Sequence, residues 1–351
     1  MLSSMRQLLT RSLAAVLIAL LIASCAPAPS STSTSPAATS PSASPSATAT
    51  PSPTPTPAVT VLKTTVPLPT FATVSAAPGG VVWFLLGGML LFRSTDRGDT
   101  WEQRPLPAAL EIPGISFVSD REGWLSAVTS PAGQCQTQAI TLWHTTDAGA
   151  SWERLPSTGI ADAQCKSALS FTDQTHGFLV AAEPQKAPVI YRTGDGGRSW
   201  TASAPLADPP GVTTSPGGPN LQPGRVRAFG STLLVAVEGP GPGVIAVDYI
   251  YASKDGGASW GYAAKSPKQG SLALVTASRW LQLVPGEQGQ ETTDGGATWH
   301  AYATDYQQAA PIAPELAFGD ASVGYATVRG ALQRTVDAGA HWGAIKTPGA
   351  G

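Results

Sequence analysis

The sequence predicts an all-β fold, and two observations lead to that prediction. An eight-residue pattern, Ser/Thr-x-Asp-x-Gly-x-x-Trp, occurs six times, and its aspartates lie 39 to 60 residues apart. Glycine (37 residues) and proline (32 residues) are abundant, which is typical of a chain with many short turns. A repeat of about 40 to 50 residues is characteristic of solenoids and propellers. We therefore expect an all-β solenoid or propeller built from six repeats.

Each position of the eight-residue pattern has a mechanical reason. The aspartate can accept hydrogen bonds from backbone N–H groups one or two residues further on, which closes a turn. The glycine allows the positive φ of a tight hairpin, and the tryptophan can bury its ring, roughly 150 to 250 Å², under the turn. We expect these residues to be structural, neither metal ligands nor catalytic acids. They are Asp96, Gly98, Trp101, Asp147, Gly149, Trp152, Asp195, Gly197, Trp200, Asp255, Gly257, Trp260, Asp294, Gly296, Trp299, Asp337, Gly339 and Trp342.

These repeats resemble the Asp-box, or bacterial neuraminidase repeat, which in its family joins the outer two strands of a propeller blade. Ser or Thr occupies the first position in all six copies and the seventh position in five, His341 being the exception. The resemblance covers residues 60–351 and implies a sialidase-like β-propeller of six four-stranded antiparallel blades.

A second pattern, Phe-x5-Gly-aromatic, begins at Phe117, Phe171 and Phe318, ahead of the Asp-box in three blades. We interpret it as two strands around a tight turn. The two patterns together look most like the photosystem II stability and assembly factor group, noncatalytic propellers that hold partner proteins. This resemblance implies a binding function. It does not imply a photosynthetic role, because the basic patch expected in those factors has no clear counterpart here.

The first 25 residues have the pattern of a signal peptide. Arg6 and Arg11 precede an apolar stretch at 13–23, and Ile22-Ala23-Ser24-Cys25 follows, which looks like a bacterial lipobox. The resemblance implies cleavage before Cys25, lipid attachment to that cysteine, and an extracytoplasmic protein anchored to the bacterial cell membrane. An ordinary secretory signal with a chance cysteine is the alternative. Residues 26–59 contain Pro, Ser, Thr and Ala with almost nothing else, so we expect a disordered stalk.

The blades are predicted at 71–105, 115–155, 169–202, 226–264, 272–302 and 316–345, with a seventh blade from 59–67 and the chain terminus left open. In a four-stranded blade, the turns between strands one and two and between strands three and four share one face, here called the box face. The loops between strands two and three and the links between blades share the other, here called the loop face. The long loops at 129–139, 205–224 and 238–243 are predicted to lie on the loop face, where binding sites usually occur.

Cys135 and Cys165 remain once Cys25 is assigned to lipid, and both are predicted on the loop face. In an extracytoplasmic protein, a disulfide between them is the default expectation, and two free thiols are the alternative.

Several classes of function fit poorly. The net charge of −2 and the lack of a basic stripe argue against nucleic acid. The four dispersed histidines give no metal-ligand spacing, and no cofactor motif occurs. Sialidases carry a Phe/Tyr-Arg-Ile-Pro motif, an arginine triad and a Tyr-Glu pair; the motif is missing here, and no catalytic residue is assigned.

We therefore expect a monomeric, membrane-anchored binding propeller for a protein or a cell-surface glycan. The alternative is a divergent, exo-sialidase-like glycoside hydrolase with Glu238 and Tyr249 as an acid and phenol pair. The predicted binding face surrounds the central opening of the loop face. Its candidate residues are Arg225, Arg227, Glu238, Tyr249, Tyr306 and Arg329.

Overall fold

The computed structural model describes residues 64–133, 135–184, 186–212, 220–241, 246–284, 287–306 and 314–351. The predicted signal peptide, lipobox and stalk lie outside these ranges. Within them the regular elements are β-strands and one 3-10 turn at Pro78–Gly80. None of the described elements is a helix of the length and hydropathy needed to cross a membrane.

The strands form six antiparallel sheets, which are the blades. Blade 1 consists of β1 (Ala72–Ala77), β2 (Val81–Leu86), β3 (Leu90–Ser94) and β4 (Glu102–Arg104). Blade 2 consists of β5 (Ile112–Phe117), β6 (Gly123–Val128), β7 (Ile140–Thr145) and β8 (Glu153–Leu155). Blade 3 consists of β9 (Cys165–Phe171), β10 (Gly177–Ala182), β11 (Val189–Thr193) and β12 (Thr201–Ala202). Blade 4 consists of β13 (Gln222–Pro223), β14 (Arg227–Phe229), β15 (Thr232–Pro240), β16 (Ala246–Ser253) and β17 (Gly261–Lys265). Blade 5 consists of β18 (Ser271–Leu274), β19 (Trp280–Leu283), β20 (Gly289–Thr292) and β21 (His300–Tyr302). Blade 6 consists of β22 (Glu315–Phe318), β23 (Gly324–Val328), β24 (Ala331–Thr335) and β25 (Gly343–Ile345).

The predicted all-β, six-bladed propeller is confirmed. Blades 2 to 4 begin three or four residues earlier than expected, and the first strand of blade 4 is split into β13 and β14, which both pair with β15. The described residues of the proposed seventh blade form no sheet of their own. Val66 instead pairs in parallel with Ala350, which joins the start and end of the described chain beside blades 6 and 1.

Serine hydroxyls join the innermost strands of neighbouring blades. The Ser75 Oγ accepts a hydrogen bond from the Phe117 N–H at 2.9 Å, and the Ser116 Oγ accepts one from the Phe171 N–H at 2.7 Å. The Ser170 Oγ accepts a third from the Val226 N–H at 3.0 Å. Blades 1 to 4 are thus fixed to one another around the centre by backbone-directed bonds, because each bond uses a main-chain donor.

The Phe-x5-Gly-aromatic pattern has a packing explanation. Phe171 lies directly opposite Gly177 in the β9–β10 pair, and its ring covers the glycine so closely that an added Cβ would lie 2.5 Å from a ring carbon. The aromatic residue of the pattern packs against the next blade. The ring of Trp124 in blade 2 stacks on the ring of Phe171 in blade 3, with their centroids 3.7 Å apart. The pattern therefore specifies contacts between blades as well as a turn.

Candidate binding face

The six Asp-boxes lie at the turns between the third and fourth strands, as predicted, and share one hydrogen-bond scheme. In the first box the Ser94 hydroxyl donates to the Asp96 Oδ1 at 2.7 Å and accepts from the Gly98 N–H at 2.8 Å. The Thr100 N–H donates to the Asp96 Oδ1 at 2.9 Å. The expectation that the aspartate would bind N–H groups one or two residues on was wrong: the donor is four residues on, because the loop wraps around the carboxylate.

These hydrogen bonds lower the pKa values of the Asp-box carboxyl groups. The Thr100 hydroxyl is the largest influence lowering the pKa of Asp96 to about 2, and the Thr298 hydroxyl does the same for Asp294. In the sixth box the His341 ring replaces the usual hydroxyl, with its Nδ1 2.5 Å from an Asp337 oxygen. The carboxylates are therefore ionised and occupied by the turn itself.

The box tryptophans pack against other aromatic rings. Trp200 and Trp260 are buried, whereas the other four are half-buried, so the predicted burial is complete in only two boxes. The ring pairs are Phe84–Trp101, Phe117–Trp152, Phe171–Trp200, Phe178–Trp260, Trp280–Trp299 and Phe318–Trp342.

Many charged side chains near the box face are engaged with one another. Arg334 binds Asp99 at 2.7 Å, and His144 binds Glu122 at 3.1 Å beneath Trp124. Arg198 binds Glu153 at 3.2 Å. The exposed Arg198–Glu153 pair contributes little stability, whereas the His144–Glu122 pair is mostly shielded from solvent.

Arg225 crosses the centre of the ring. From blade 4 it donates to the Val74 carbonyl of blade 1 at 2.8 Å and pairs with Glu315 of blade 6 at 3.3 Å. Glu315 also accepts a hydrogen bond from Thr73 at 3.4 Å. Burial raises the pKa of Glu315, and the Arg225 charge opposes that shift. Arg225 thus links blade 4 to blades 1 and 6. It was predicted to be free for a ligand at the central opening, and its guanidinium is instead bound within the protein.

Arg227 also departs from the prediction. The strand register places it one step nearer the box face than Arg225, inside the ring. Burial, followed by the positive charge of Arg225, lowers the pKa of Arg227, and its guanidinium lies 5.9 Å from the Phe229 ring centroid. Its position follows from β14, an innermost strand whose alternate residues face the centre.

A rigid corner forms where blades 2 and 3 meet on the loop face. Cys135 and Cys165 are joined by a disulfide with their Cα atoms 4.9 Å apart. The adjacent Lys166 ammonium is buried and donates to the carbonyls of Gln138 (2.6 Å), Asp162 (2.9 Å) and Ala163 (3.0 Å). Burial lowers the pKa of Lys166, with partial opposition from Asp162. The three carbonyls satisfy its three donors, so Lys166 is structural.

The long hairpin of blade 4 holds two carboxyl groups side by side, here called the carboxylate pair. Glu238 on β15 is the direct cross-strand partner of Asp248 on β16. Burial, and then the charge of Glu238, raise the pKa of Asp248 to about 7. Neither carboxylate has a hydrogen-bond or ion-pair partner among the described residues.

Tyr249 does not join this pair. It lies in register with Val237, one residue away from the carboxylate pair on each strand, so its side chain is on the opposite face of the hairpin. There it is buried, and its hydroxyl donates to the Pro240 carbonyl at 2.5 Å. The predicted acid and phenol pair of Glu238 and Tyr249 is therefore not formed.

The last two predicted residues occupy different surroundings. Tyr306 packs edge-on against Trp342 of the sixth box, with ring centroids 5.5 Å apart, so its predicted place near the central opening was wrong. Arg329 lies as predicted on the loop face, in the exposed turn between β23 and β24. In the described part of the chain its guanidinium has no hydrogen-bond or ion-pair partner.

Three charged residues of this face were missed by the sequence reasoning: Lys166, Asp248 and Glu315. Each lies within a strand rather than in a turn, among mostly apolar neighbours. A charged residue inside such a strand is the signal that could have identified them. Across the described ranges, no three His, Cys, Asp or Glu side chains come together as a metal site.

Comparison with known proteins supports the fold. No family model matches the chain. A xyloglucanase from Paenibacillus sp is 24% identical over 261 residues, or 62% of this chain and 24% of that protein, so the chain spans about a quarter of that relative.

Among solved structures, a Hadza microbial sialidase has a TM-score of 0.50 at 13% identity, covering 79% of this chain and 65% of that one. YCF48 from Cyanidioschyzon merolae has a TM-score of 0.47 at 17% identity, covering 80% and 87%. YCF48 bound to D1 peptide has a TM-score of 0.44 at 19% identity, covering 83% and 88%. Sialidase and YCF48 propellers are both among the structural neighbours, and at these identities the likeness concerns the fold.

Proposed function

We propose that this chain is a lipid-anchored, extracytoplasmic propeller that binds a protein partner at the loop face, without catalysis. The lipobox-like Ile22–Cys25 supports the anchor. A difference between carboxylates supports the site, because the Asp-box carboxylates are occupied by hydrogen bonds of their own turns. On the loop face, the carboxylate pair and Arg329 are left without partners among the described residues.

The carboxylate pair is the observation that carries this proposal. Like charges directly opposite each other in an antiparallel pair destabilise the sheet. A half-buried carboxylate without a hydrogen bond adds a desolvation cost. Perturbed groups of this kind concentrate at functional sites. A Lys or Arg side chain of a partner would form charge-assisted hydrogen bonds with Glu238 and Asp248. These bonds would offset the repulsion and the desolvation cost that the two carboxylates have in the free protein.

The test is capture of partners from solubilised envelope by the lipidated full-length protein, with identification by mass spectrometry. Asp248→Asn with Glu238→Gln should lower capture at least tenfold while leaving the melting temperature equal or higher. Glu153→Gln is the matched control, since Glu153 is an exposed carboxylate near the box face and already paired with Arg198. Capture that survives the double change but is lost in the control would place the site on the box face.

A glycoside hydrolase that uses the same two carboxyl groups is the second candidate. The pKa of about 7 would let Asp248 keep its proton at neutral pH, as a general acid must, with Glu238 directly opposite as the second carboxyl group. Release of reducing sugar from xyloglucan or sialosides by the parent protein, abolished by Asp248→Asn, would favour this function. Partner capture without any turnover would favour the binding propeller.

A further inference from the structure

Exposed apolar side chains are concentrated in one part of the loop face. Of the six large apolar residues that are strongly exposed in the described ranges, four lie beside blades 6, 1 and 2. These four are here called the apolar patch: Leu68 (41% exposed), Phe71 (52%), Met89 (50%) and Ile112 (47%). The other two, Tyr262 and Val336, lie in an outer strand and in the sixth box. Such a local concentration on a soluble surface marks an interaction site.

Three of the four residues, Leu68, Phe71 and Met89, are neighbours in space. The Gly87 N–H, in the same turn as Met89, donates to the Phe71 carbonyl at 2.7 Å. Leu68 packs over Gly330 in the adjoining turn of blade 6. On the other side, Gly88 lies against Pro113, whereas Ile112 precedes it on β5 and faces the side of that strand that Ser116 turns toward blade 3. Leu68, Phe71 and Met89 therefore form the connected part of the apolar patch, between blades 6 and 1.

A basic group borders the patch. A shallow depression of about 440 Å³ is lined by Phe71, Ala72, Pro69, Thr70 and Arg329. The Arg329 guanidinium is without a hydrogen-bond or ion-pair partner among the described residues. Apolar side chains beside an arginine are the combination that binds the surface of a membrane with anionic lipids.

We infer that the apolar patch docks the propeller on a bilayer that contains anionic phospholipid, with Arg329 at a headgroup phosphate. The inference rests on the lipid anchor of the proposed function. The described chain begins at Thr64, four residues before Leu68, so its first described residues lie beside the patch. A lipid on Cys25 would keep a bilayer within reach of this surface.

The positions of Arg329 and the carboxylate pair favour the same orientation. Blade 4, which holds the carboxylate pair, is on the far side of the ring from blade 1. An anionic surface attracts Arg329 and repels Glu238 and Asp248. The docked propeller therefore rests on its blade 1 edge and leaves the carboxylate pair open to the partner.

Met89 provides the test, because the other two methionines, Met1 and Met5, precede the predicted cleavage site. The lipidated protein is reconstituted on vesicles of phosphatidylethanolamine and phosphatidylglycerol, and sulfoxide formation by dilute peroxide is followed by mass spectrometry. Docking should slow Met89 oxidation at least fivefold relative to a Phe71→Ser, Arg329→Gln variant on the same vesicles. Val336→Met adds a second, similarly exposed reporter away from the patch, whose oxidation should be equally fast in both proteins.

Equal Met89 rates in the two proteins would overturn the inference. So would protection that grows with protein density on the vesicles, since that indicates contact between copies of the chain, and so would a chain that does not remain on vesicles at all. Partner capture is measured in detergent, without a bilayer. A failure of the proposed function is therefore distinguishable from a failure of docking.

Discussion

Asp248 is a carboxyl group whose protonation departs strongly from its ordinary behaviour. Its pKa is raised from 3.8 to about 7, so the folded protein retains a proton that the unfolded chain releases. The stability of the parent protein therefore falls as the pH rises from about 4 to about 7, and the full cost is present above pH 7.

Replacing Asp248 by Asn removes this titration. We expect the free energy of unfolding to rise by about 1–3 kcal/mol at pH 8 and by much less at pH 4, as measured by urea denaturation at both values. Glu153→Gln, a change at an exposed ion-paired carboxylate, should give similar small effects at both pH values. A gain from Asp248→Asn that is the same at pH 4 and pH 8 would contradict the raised pKa.

Residue roles in blade 4 were the hardest to predict, for a physical reason. Strand β16 contains Val247, Asp248, Tyr249 and Ile250, and it packs against blade 3 on one face and blade 5 on the other. A strand covered on both faces has no alternation of polar and apolar residues. The sequence therefore could not indicate that Asp248 and Tyr249 point in opposite directions.

At the scale of the structural element, the hairpins were the most predictable part. An Asp-box is closed by bonds within seven consecutive residues, so six copies in the sequence give six turns in the structure. Tyr306 illustrates the limit: its neighbour Trp342 belongs to the next blade, and no local pattern records a contact over 36 residues. Local hydrogen bonding is readable from sequence, whereas packing between elements is not.

The Phe-over-Gly contact gives a prediction at this scale. Gly177→Ala places a methyl group against the Phe171 ring and should lower the free energy of unfolding by about 1–3 kcal/mol. Gly261→Ala is the matched control, because Gly261 is also in a strand and an added Cβ there meets no atom within 4 Å. Thermal melting of both variants decides the matter. Equal melting temperatures would show that the ring moves aside without cost.

In the whole molecule, the propeller ring closes where blade 6 meets blade 1. A propeller is built from repeats, and repeats that contact only their neighbours can unfold one after another. Here blade 6 meets blade 1 through a shared core that includes Val74, Phe84 and Tyr325, and Val66 bridges to Ala350. The last joint is therefore sealed by packing and by one short parallel pairing.

Arg225 adds a constraint that no neighbouring pair of blades supplies. It binds both sides of the joint between blades 6 and 1 from the opposite side of the ring, so opening that joint breaks its bonds to Val74 and Glu315. The consequence concerns cooperativity: the six blades should unfold in a single transition. Arg225→Met should divide that transition into two, with a loss of about 1–3 kcal/mol in the first. Calorimetry measures this directly, and Arg225→Met combined with Glu315→Gln controls for the carboxylate left unpaired. A single sharp unfolding transition in the Arg225→Met variant would show that the six blades unfold cooperatively without this side chain.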